Sequence, residues 1–465
     1  MKKRTIKILL TIISLLIILI LIYYISLPKG RTIISPTHQI SEDSIQFLSD
    51  LTYEDKNQNI QYNQEIFNKT YNIIQNAENF IIINMFLFGT TKEPHLKNLT
   101  QELTTQLINK KQSNPNMPIY FITDKFNIIN KPYNKPFINQ LEQNNINIIY
   151  TPINKNPITN YLLKKAKKRL NHRKFIIADN NNQIHTLITS ANPHDQSSPN
   201  SNTAILIKEK IWQDVYNLEI KDANINNQQI QSFIDNFQEP VGGDEGIIPI
   251  KGGMGGLIGI DNAEGEGENK PIKVQYLADN GLMHSLKKEL SKTNQEHTIN
   301  IAMFTLSDKK TTNQLIQASK RGANINIILD TNDFFFSQQK FGIPNKPVAE
   351  KLLKESNNKI NIRWYKSHGE QFHTKLITIT NQTHTTILTG STNIANNNIR
   401  LYNLQSDIKI TSPNNSSITK QTNDYFNKIY NNQNRIYTTD YNIYKSTSTL
   451  KKLRYEWEQF IRLLQ

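Results

Sequence analysis

An internal repeat constrains the fold of this 465-residue chain more than any other feature. Four polar residues recur with the same spacing in each half: His172, Lys174, Ser190 and Asn192, then His373, Lys375, Ser391 and Asn393. Each member of the second set follows its counterpart by 201 residues. The apolar runs 80–86 and 299–304, which lie upstream of the two sets, both end in Met-Phe. A duplication on this scale predicts two domains with the same fold.

Periodicity along each half predicts an α/β domain. Short runs rich in Ile and Phe are typical of buried strands and cover residues 80–88, 118–123, 146–150, 299–304, 325–330 and 360–365. Helix-like stretches lie between them at 64–77, 96–110, 310–321 and 347–355, and Gly322 is well placed to end the third. Strands that alternate with helices predict a central mixed sheet flanked by helices in each domain.

The boundary between the domains is indicated by a change in composition. Residues 240–270 hold ten of the 17 glycines and six acidic residues, which is typical of a flexible linker. An acidic lid over a basic cleft is the alternative. The predicted domains are therefore 31–239 and 271–465, joined by this linker and preceded by the segment 1–30.

The N-terminus predicts a membrane anchor. The uncharged run 8–27 contains twenty residues, which as a helix span about 30 Å, the thickness of a bilayer core. No small-x-small cleavage pattern follows it, which favours an uncleaved transmembrane helix over a signal peptide. Basic residues are more frequent before the run than after it. The positive-inside rule then places the N-terminus in the cytoplasm and the catalytic region outside.

Composition narrows the chemistry. The chain has no cysteine, which excludes thiolate nucleophiles, disulfides and cysteine-ligated metals. Its formal charge of +15 favours anionic partners, of which phospholipid headgroups, nucleic acid and cell-wall polyanions all fit.

The paired histidines suggest phosphodiester chemistry without a metal. One imidazole can attack phosphorus to form a phosphohistidine, and the second can protonate the leaving alkoxide. Residues i and i+2 of a strand share a face, so Lys174 and Lys375 would project beside His172 and His373 and stabilise negative charge. Ser190, Asn192, Ser391 and Asn393 would donate hydrogen bonds to the same phosphate.

These motifs resemble those of the phospholipase D superfamily. The first copy is His172-x-Lys174-x4-Asp179 followed by Ser190-x-Asn192, and the second is His373-x-Lys375 followed by Gly390-Ser391-Thr392-Asn393. Three segments resemble those of membrane-anchored bacterial members, which are grouped with phospholipases D and cardiolipin synthases: Asp50-Leu51-Thr52-Tyr53, Met85-Phe86-Leu87-Phe88 and Ser190-Ala191-Asn192-Pro193-His194-Asp195. The resemblance implies two phospholipase D-like domains related by a pseudo-twofold axis, one active site between them, and no metal or other cofactor. It also implies His172 as nucleophile and His373 as general acid, although the residues alone leave the reverse open.

Two departures from the family pattern bear on the second motif. Asp179 supports the first copy, whereas Thr380 occupies the matching position of the second. The family often supports each histidine with a downstream acidic residue, and here Gln405 and Ala204 stand near the expected positions.

Three functions remain open from sequence. The leading one is hydrolysis or transfer of phosphatidyl groups on a membrane phospholipid, because an anchored domain outside the cell meets lipid constantly. A nuclease of the same family is the rival, and a degenerate, non-catalytic anion-binding member is the third. Sequence does not separate hydrolysis from transfer.

Overall fold

A computed structural model describes most of the chain beyond residue 30. The described residues are 11, 14, 31–91, 93, 96–125, 127, 134–151, 170–180, 183–225, 227–237, 257–258, 271–335, 338–339, 342–395 and 403–445. Among them, no helix is both long enough and apolar enough to cross a bilayer. The predicted anchor at 8–27 and most of the predicted linker at 240–270 lie outside the described residues.

Twenty-one strands are described. In the first half of the chain they are β1 Thr32–Ile34, β2 His38–Ile40, β3 Ile45–Glu54, β4 Ile60–Gln64, β5 Ile81–Met85, β6 Ile119–Asp124, β7 Asn147–Thr151, β8 Lys174–Asn180, β9 Gln183–Thr189 and β10 Asn202–Ile207. In the second half they are β11 Leu257–Ile258, β12 Ile272–Asp279, β13 Thr298–Met303, β14 Asn324–Leu329, β15 Phe334–Phe335, β16 Gln338–Gln339, β17 Ile360–Tyr365, β18 Lys375–Thr380, β19 His384–Gly390, β20 Ser406–Pro413 and β21 Thr438–Asp440.

The described helices alternate with the strands. They are α1 Ile66–Asn76, α2 Leu99–Ser113, α3 Lys135–Gln143, α4 Ile211–Ala223, α5 Gln228–Asn236, α6 Gly281–Lys292, α7 Lys309–Lys320, α8 Asn345–Glu355, α9 Ser417–Tyr430 and α10 Tyr441–Tyr444. The strands and helices predicted from periodicity are confirmed to within a few residues. Gly322, with φ of +97°, follows α7 as predicted, because glycine adopts this left-handed conformation without strain.

The duplication is visible in the sheet topology. The first sheet contains the order β3-β10-β9-β8-β5-β6-β7, and the second contains β12-β20-β19-β18-β13-β14-β17. Corresponding strands pair in the same parallel or antiparallel sense in both sheets. The prediction of two α/β units with central mixed sheets is therefore confirmed.

The two halves exchange elements at their boundary. Strands β1 and β2 precede the first sheet in the chain, yet both pair with β12 of the second sheet. Residues 32–40 therefore belong in space to the second sheet, although chain order grouped them with the predicted domain 31–239. Glu54, at the end of β3, also bridges to Ile436 of the second half.

One apolar core joins the sheets. It includes Ile177 and Ile188 from the first half with Leu376 and Ile410 from the second, all fully or nearly fully buried. Helices cover the opposite faces of both sheets with two further apolar clusters. Because both faces of the central strands are covered, β8 is buried along its whole length. This arrangement fixes the ends of the two sheets rigidly against each other.

Candidate active site

Both histidines lie where a loop enters a central strand, and each loop crosses to the opposite half. The His172 backbone N–H donates to Leu404 O at 2.9 Å, just before β20. The Ser201 N–H, just before β10, donates to Gln371 O at 3.1 Å in the loop that carries His373. These crossings are parallel bridges, Asn171 to Leu404 and Ser201 to Phe372. Each histidine therefore lies beside the first residues of a strand from the other half.

The residue after each crossing point binds the opposing imidazole. His172 Nδ1 lies 2.9 Å from Gln405 Oε1, and His373 Nδ1 lies 3.1 Å from Asn202 Oδ1. An amide oxygen only accepts hydrogen bonds, so each Nδ1 carries the proton and each Nε2 keeps its lone pair. Gln405 and Asn202 thus hold both imidazoles in the tautomer that a nucleophile or general base requires.

Asn202 is a residue that equal spacing failed to identify. Gln405 lies where the family pattern places a supporting acid, and its structural counterpart is Asn202 rather than Ala204. The register shows why, because Ile205 pairs with Ile188 in the first sheet and Ile408 pairs with Thr389 in the second. Corresponding residues of the two halves are therefore 201 positions apart before the β9–β10 and β19–β20 connections and 203 positions apart after them.

The serines of both motifs are buried beneath these amides. Ser190 Oγ donates to Asn202 Oδ1 at 3.0 Å, and Ser391 Oγ donates to Gln405 Oε1 at 2.7 Å. Each serine oxygen also accepts a backbone N–H, from Thr203 and Ser406 respectively. The serine hydroxyls therefore orient the amides that hold the histidines. Direct contact of Ser190 and Ser391 with a phosphate stays a prediction.

The asparagines of both motifs lie at matching turns. The backbone carbonyls of Asn192 and Asn393 each accept the N–H of the residue two positions later, from His194 and Ala395 at 2.8 Å. The Asn192 side-chain oxygen accepts the Leu87 N–H at 3.3 Å. Phosphate binding by either asparagine stays a prediction.

Both lysines are buried, and no carboxylate within the described part of the chain forms a salt bridge with them. Lys174 Nζ donates to His172 O at 2.9 Å, and Lys375 Nζ donates to His373 O at 2.6 Å. Among the described residues no salt bridge reaches either ammonium group. Burial lowers the pKa of both lysines well below the usual value, and the charge of Lys375 lowers that of Lys174 further. An anion placed between the two groups would relieve this repulsion.

One phenylalanine completes each half-site, the set of motif residues around one histidine. The Phe86 ring lies 4.7 Å from the His172 ring and 5.2 Å from Lys174 Nζ. Phe304 repeats the arrangement, 5.2 Å from the His373 ring and 5.3 Å from Lys375 Nζ. These are the Phe residues of the repeated Met-Phe pairs, at the ends of β5 and β13. Their faces stabilise the ammonium groups and exclude water beside the imidazoles.

Two aspartates fix the loops that carry the histidines. Asp124 Oδ2 accepts the Asn171 N–H at 2.7 Å, and Asp330 Oδ2 accepts the Phe372 N–H at 2.7 Å. These aspartates occupy equivalent positions, directly after Thr123 and Leu329 in the register of β6 and β14. Burial raises the pKa of Asp330 to about 7 despite the N–H groups that it accepts. Sequence analysis missed both, although an aspartate after an apolar strand in each half was the available signal.

The halves differ where β9 and β19 end. Thr189 Oγ1 accepts the Ala191 N–H at 3.0 Å, whereas Asp407 Oδ1 accepts the equivalent Thr392 N–H at 2.9 Å. The carboxylate can take the place of the threonine hydroxyl only because position 390 is glycine, since a Cβ there would lie 2.5 Å from the Asp407 carboxylate. Burial raises the pKa of Asp407 to about 7, and its charge favours protonation of both lysines. Ala204 occupies the position of Asp407 in the first half.

The acidic residue of the first motif serves the fold. Asp179 accepts the backbone N–H groups of Asn79 and Phe80 at 2.9 to 3.0 Å and thereby fixes the turn into β5. It stands five residues beyond Lys174 along β8, about 17 Å away at the usual rise per residue. Its counterpart Thr380 bonds to Thr385 across the β18–β19 hairpin. The missing acid of the second motif therefore leaves the surroundings of His373 unchanged.

The electrostatics keep both imidazoles neutral. Burial is the main cause that lowers the pKa of His172 well below its usual value, followed by the charge of Lys174. The pKa of His373 is lowered likewise by burial and then by the two lysines. One neutral imidazole is therefore ready to attack, and the other must gain a proton before it can act as an acid. A bound phosphate would favour that protonation, because it offsets the lysine charges.

Within the described part of the chain, no group of three or more His, Asp, Glu or Cys residues is arranged to hold a metal ion.

Known proteins resemble this chain in part of its sequence and in its fold. Residues 286–430 match the family model for the cardiolipin synthase, phospholipase D-like domain. The fold is similar to that of phosphatidylserine synthase from Haemophilus influenzae Rd KW20, with 13% identity, a TM-score of 0.61, and coverage of 93% of this chain and 97% of that one. The phospholipase D family member Nuc from Salmonella typhimurium overlaps 36% of this chain and 97% of its own, with 16% identity and a TM-score of 0.27. No curated protein matches the sequence. The resemblance to the phospholipase D superfamily is therefore confirmed.

Proposed function

We propose that this chain, whose second half carries a phospholipase D-like domain, cleaves or transfers a phosphatidyl group through a phosphohistidine. The observation that carries the proposal is the pair of buried lysines that no carboxylate of the described residues pairs with, each beside a neutral imidazole whose Nδ1 is held by an amide. An anion beside them would favour the protonated form of both lysines, which burial disfavours, so the pair forms an anion site. Two imidazoles facing such an anion suit double displacement at phosphorus.

The proposed reaction uses these groups in two steps. His172 Nε2 attacks the phosphorus of a phosphodiester while Lys174 and Lys375 stabilise the charge on the non-bridging oxygens. The bond to the leaving alkoxide breaks, and protonated His373 supplies the proton to that oxygen. Neutral His373 then accepts a proton from water or an alcohol, whose oxygen attacks the phosphohistidine and frees His172. Water gives hydrolysis and an alcohol gives transfer.

A membrane phospholipid is the proposed substrate. The family model that matches is described as cardiolipin synthase, and the structure with the similar fold is a phosphatidylserine synthase. The predicted anchor at 8–27 would tether the catalytic region to its substrate, with the N-terminus in the cytoplasm. Arg31 binds Asp279 beside the site, so the predicted anchor would join the protein near this end of the sheets.

Product analysis by mass spectrometry tests the proposal. Full-length protein in detergent would be incubated with phosphatidylglycerol vesicles and, separately, with single-stranded DNA. Phosphatidic acid or cardiolipin from the wild type, absent with His172→Ala, is the expected result. His284→Ala is the matched control, because His284 is exposed on α6 outside the site and its loss should leave turnover unchanged.

Other outcomes would redirect the proposal. Shortened DNA with intact lipid would identify a nuclease. If neither substrate changes, binding of orthophosphate separates a non-catalytic site from an absent one. If orthophosphate stabilises the wild type and the exposed control Lys320→Gln against heat but does not stabilise Lys174→Gln, the chain binds anions at this site without catalysis.

A further inference from the structure

A buried cluster of charges lies beneath the His172 half-site. We call it the arginine–carboxylate cluster; its members are Arg31, Arg173, Glu219, Asp222 and Asp279. Arg31 binds Asp222 through both Nη atoms at 2.6 and 2.7 Å, and its Nε donates to Asp279 at 2.8 Å. Arg173 contacts Glu219 at 2.5 Å, Asp222 at 2.8 Å and Asp279 at 3.3 Å. Two cations thus share three carboxylates.

The arginine–carboxylate cluster binds the backbone of Gln405, the residue whose side chain binds His172. Arg173 Nε donates to Gln405 O at 3.3 Å, and Asp279 Oδ1 accepts the Gln405 N–H at 3.2 Å. The Asp279 N–H also donates to Gln405 O at 3.3 Å. Both backbone groups of Gln405 are therefore fixed, and its side-chain oxygen accepts the proton of His172 Nδ1. A shift of Asp279 or Arg173 would reach the imidazole through one intervening residue.

The other half-site has no such support among the described residues. Thr374 takes the place of Arg173 after His373, and its hydroxyl contacts Tyr425 at 2.9 Å. Asp50 is the counterpart of Asp279, since it pairs with Asn202 as Asp279 lies opposite Gln405. Asp50 instead accepts the Glu65 and Ile66 N–H groups at the start of α1. The cluster is thus specific to His172.

We infer that the arginine–carboxylate cluster positions His172 for catalysis through Gln405, and that Arg31 makes this half-site depend on the chain segment at residue 31. Arg173 and Asp279 are positioning residues, because they act on His172 through Gln405. Arg31 closes the cluster from the segment that follows the predicted membrane anchor. The inference rests on the proposed function for its catalytic consequence only, since the contacts themselves are independent of the substrate.

Asp279→Asn is the sharpest test. The change is isosteric, removes one carboxylate, and keeps a residue type that tolerates the left-handed φ of +57° found at this position. Arg31→Ala removes the link to the N-terminal segment, and Arg31→Lys restores charge without the two-pronged contact. Glu289→Gln is the matched control, because it removes the carboxylate of the Lys409–Glu289 ion pair on the far side of the second sheet.

Two readouts separate positioning from a structural role. With the full-length protein and phosphatidylglycerol vesicles, we expect kcat to fall about 10- to 100-fold in Asp279→Asn and Arg31→Ala with KM within about threefold, because misplacement of a nucleophile slows the chemical step. Arg31→Lys should recover part of the loss, and Glu289→Gln should match the wild type. In protein labelled with ¹⁵N-histidine, the His172 Nδ1 proton, assigned by its absence in His172→Ala, should exchange faster with water in both cluster variants.

The second readout needs no turnover. If the wild type acts on neither lipid nor DNA, the proposed function fails, while the exchange of the His172 proton still tests the positioning role. Wild-type exchange and wild-type kcat in folded Asp279→Asn would overturn the inference. The inference would also be overturned if a cluster variant lost both its kcat and its stabilisation against heat by orthophosphate, because positioning of His172 should leave anion binding by the lysines intact.

Discussion

Exchange of the amide beside each histidine for a carboxylate tests the site in depth. Gln405→Glu places a negative charge about 3 Å from His172 Nδ1, where the amide oxygen now lies at 2.9 Å. Charges about 4 Å apart attract by about 4 kcal/mol at an effective dielectric constant of about 20. Burial of the new carboxylate, which disfavours its own charge, opposes about half of this. The pKa of His172 should then rise by about 1 to 2 units, at about 1.4 kcal/mol per unit.

The matching change beside His373, Asn202→Asp, should alter the rate at the opposite end of the pH range. At low pH the rate is limited by the fraction of the nucleophile that is neutral, and at high pH by the fraction of the acid that is protonated. A higher pKa of the nucleophile therefore slows the reaction at low pH only. A higher pKa of the acid speeds it at high pH only.

The pH at which each variant changes the rate identifies which histidine is the nucleophile and which is the acid. With His172 as nucleophile, Gln405→Glu should lower kcat/KM at the acidic end of the pH profile, by at most the about 10- to 100-fold that a rise of about 1 to 2 pKa units allows, and leave it unchanged near pH 9. Asn202→Asp should leave the rate near pH 5 unchanged and raise it near pH 9. The assay is release of headgroup from phosphatidylglycerol vesicles across this range. The reversed pattern would exchange the roles of His172 and His373, and equal effects of both variants at both ends would refute the reasoning.

Further predictions concern the catalytic pair, metals and stability. His172→Ala and His373→Ala should each abolish turnover with little change in the free energy of unfolding, and near-full activity of either variant would remove that residue from the mechanism. EDTA should not inhibit, because the proposed mechanism uses only histidine and lysine; inhibition that a divalent ion reverses would contradict this. Asp407 has its pKa raised to about 7, so its contribution to stability is fully present below about pH 4 and lost as pH rises through about 7. Chemical denaturation at pH 4 to 7 should show the stability difference between wild type and Asp407→Asn change by up to about 4 kcal/mol over this range, and a constant difference would contradict the raised pKa.

The sequence determined the architecture through its periodicity and its repeat. Buried strands and amphipathic helices such as β5, α7 and β17 were predictable because their apolar spacing is local. The equal offsets of His172 and His373 predicted two like domains with one histidine each, which the paired sheet orders bear out. Compositional contrast also indicated a boundary near 240–270.

The tertiary structure decided what surrounds the histidines. Gln405 and Asn202 reach the opposite half, and their chain separation from the histidines, 233 and 171 residues, leaves no local pattern to detect. A two-residue difference between the β9–β10 and β19–β20 connections hid Asn202 from the repeat. The arginine–carboxylate cluster likewise joins residues from four parts of the chain. Spacing reveals which side chains share a face of one element, whereas contacts between elements depend on how the sheets pack.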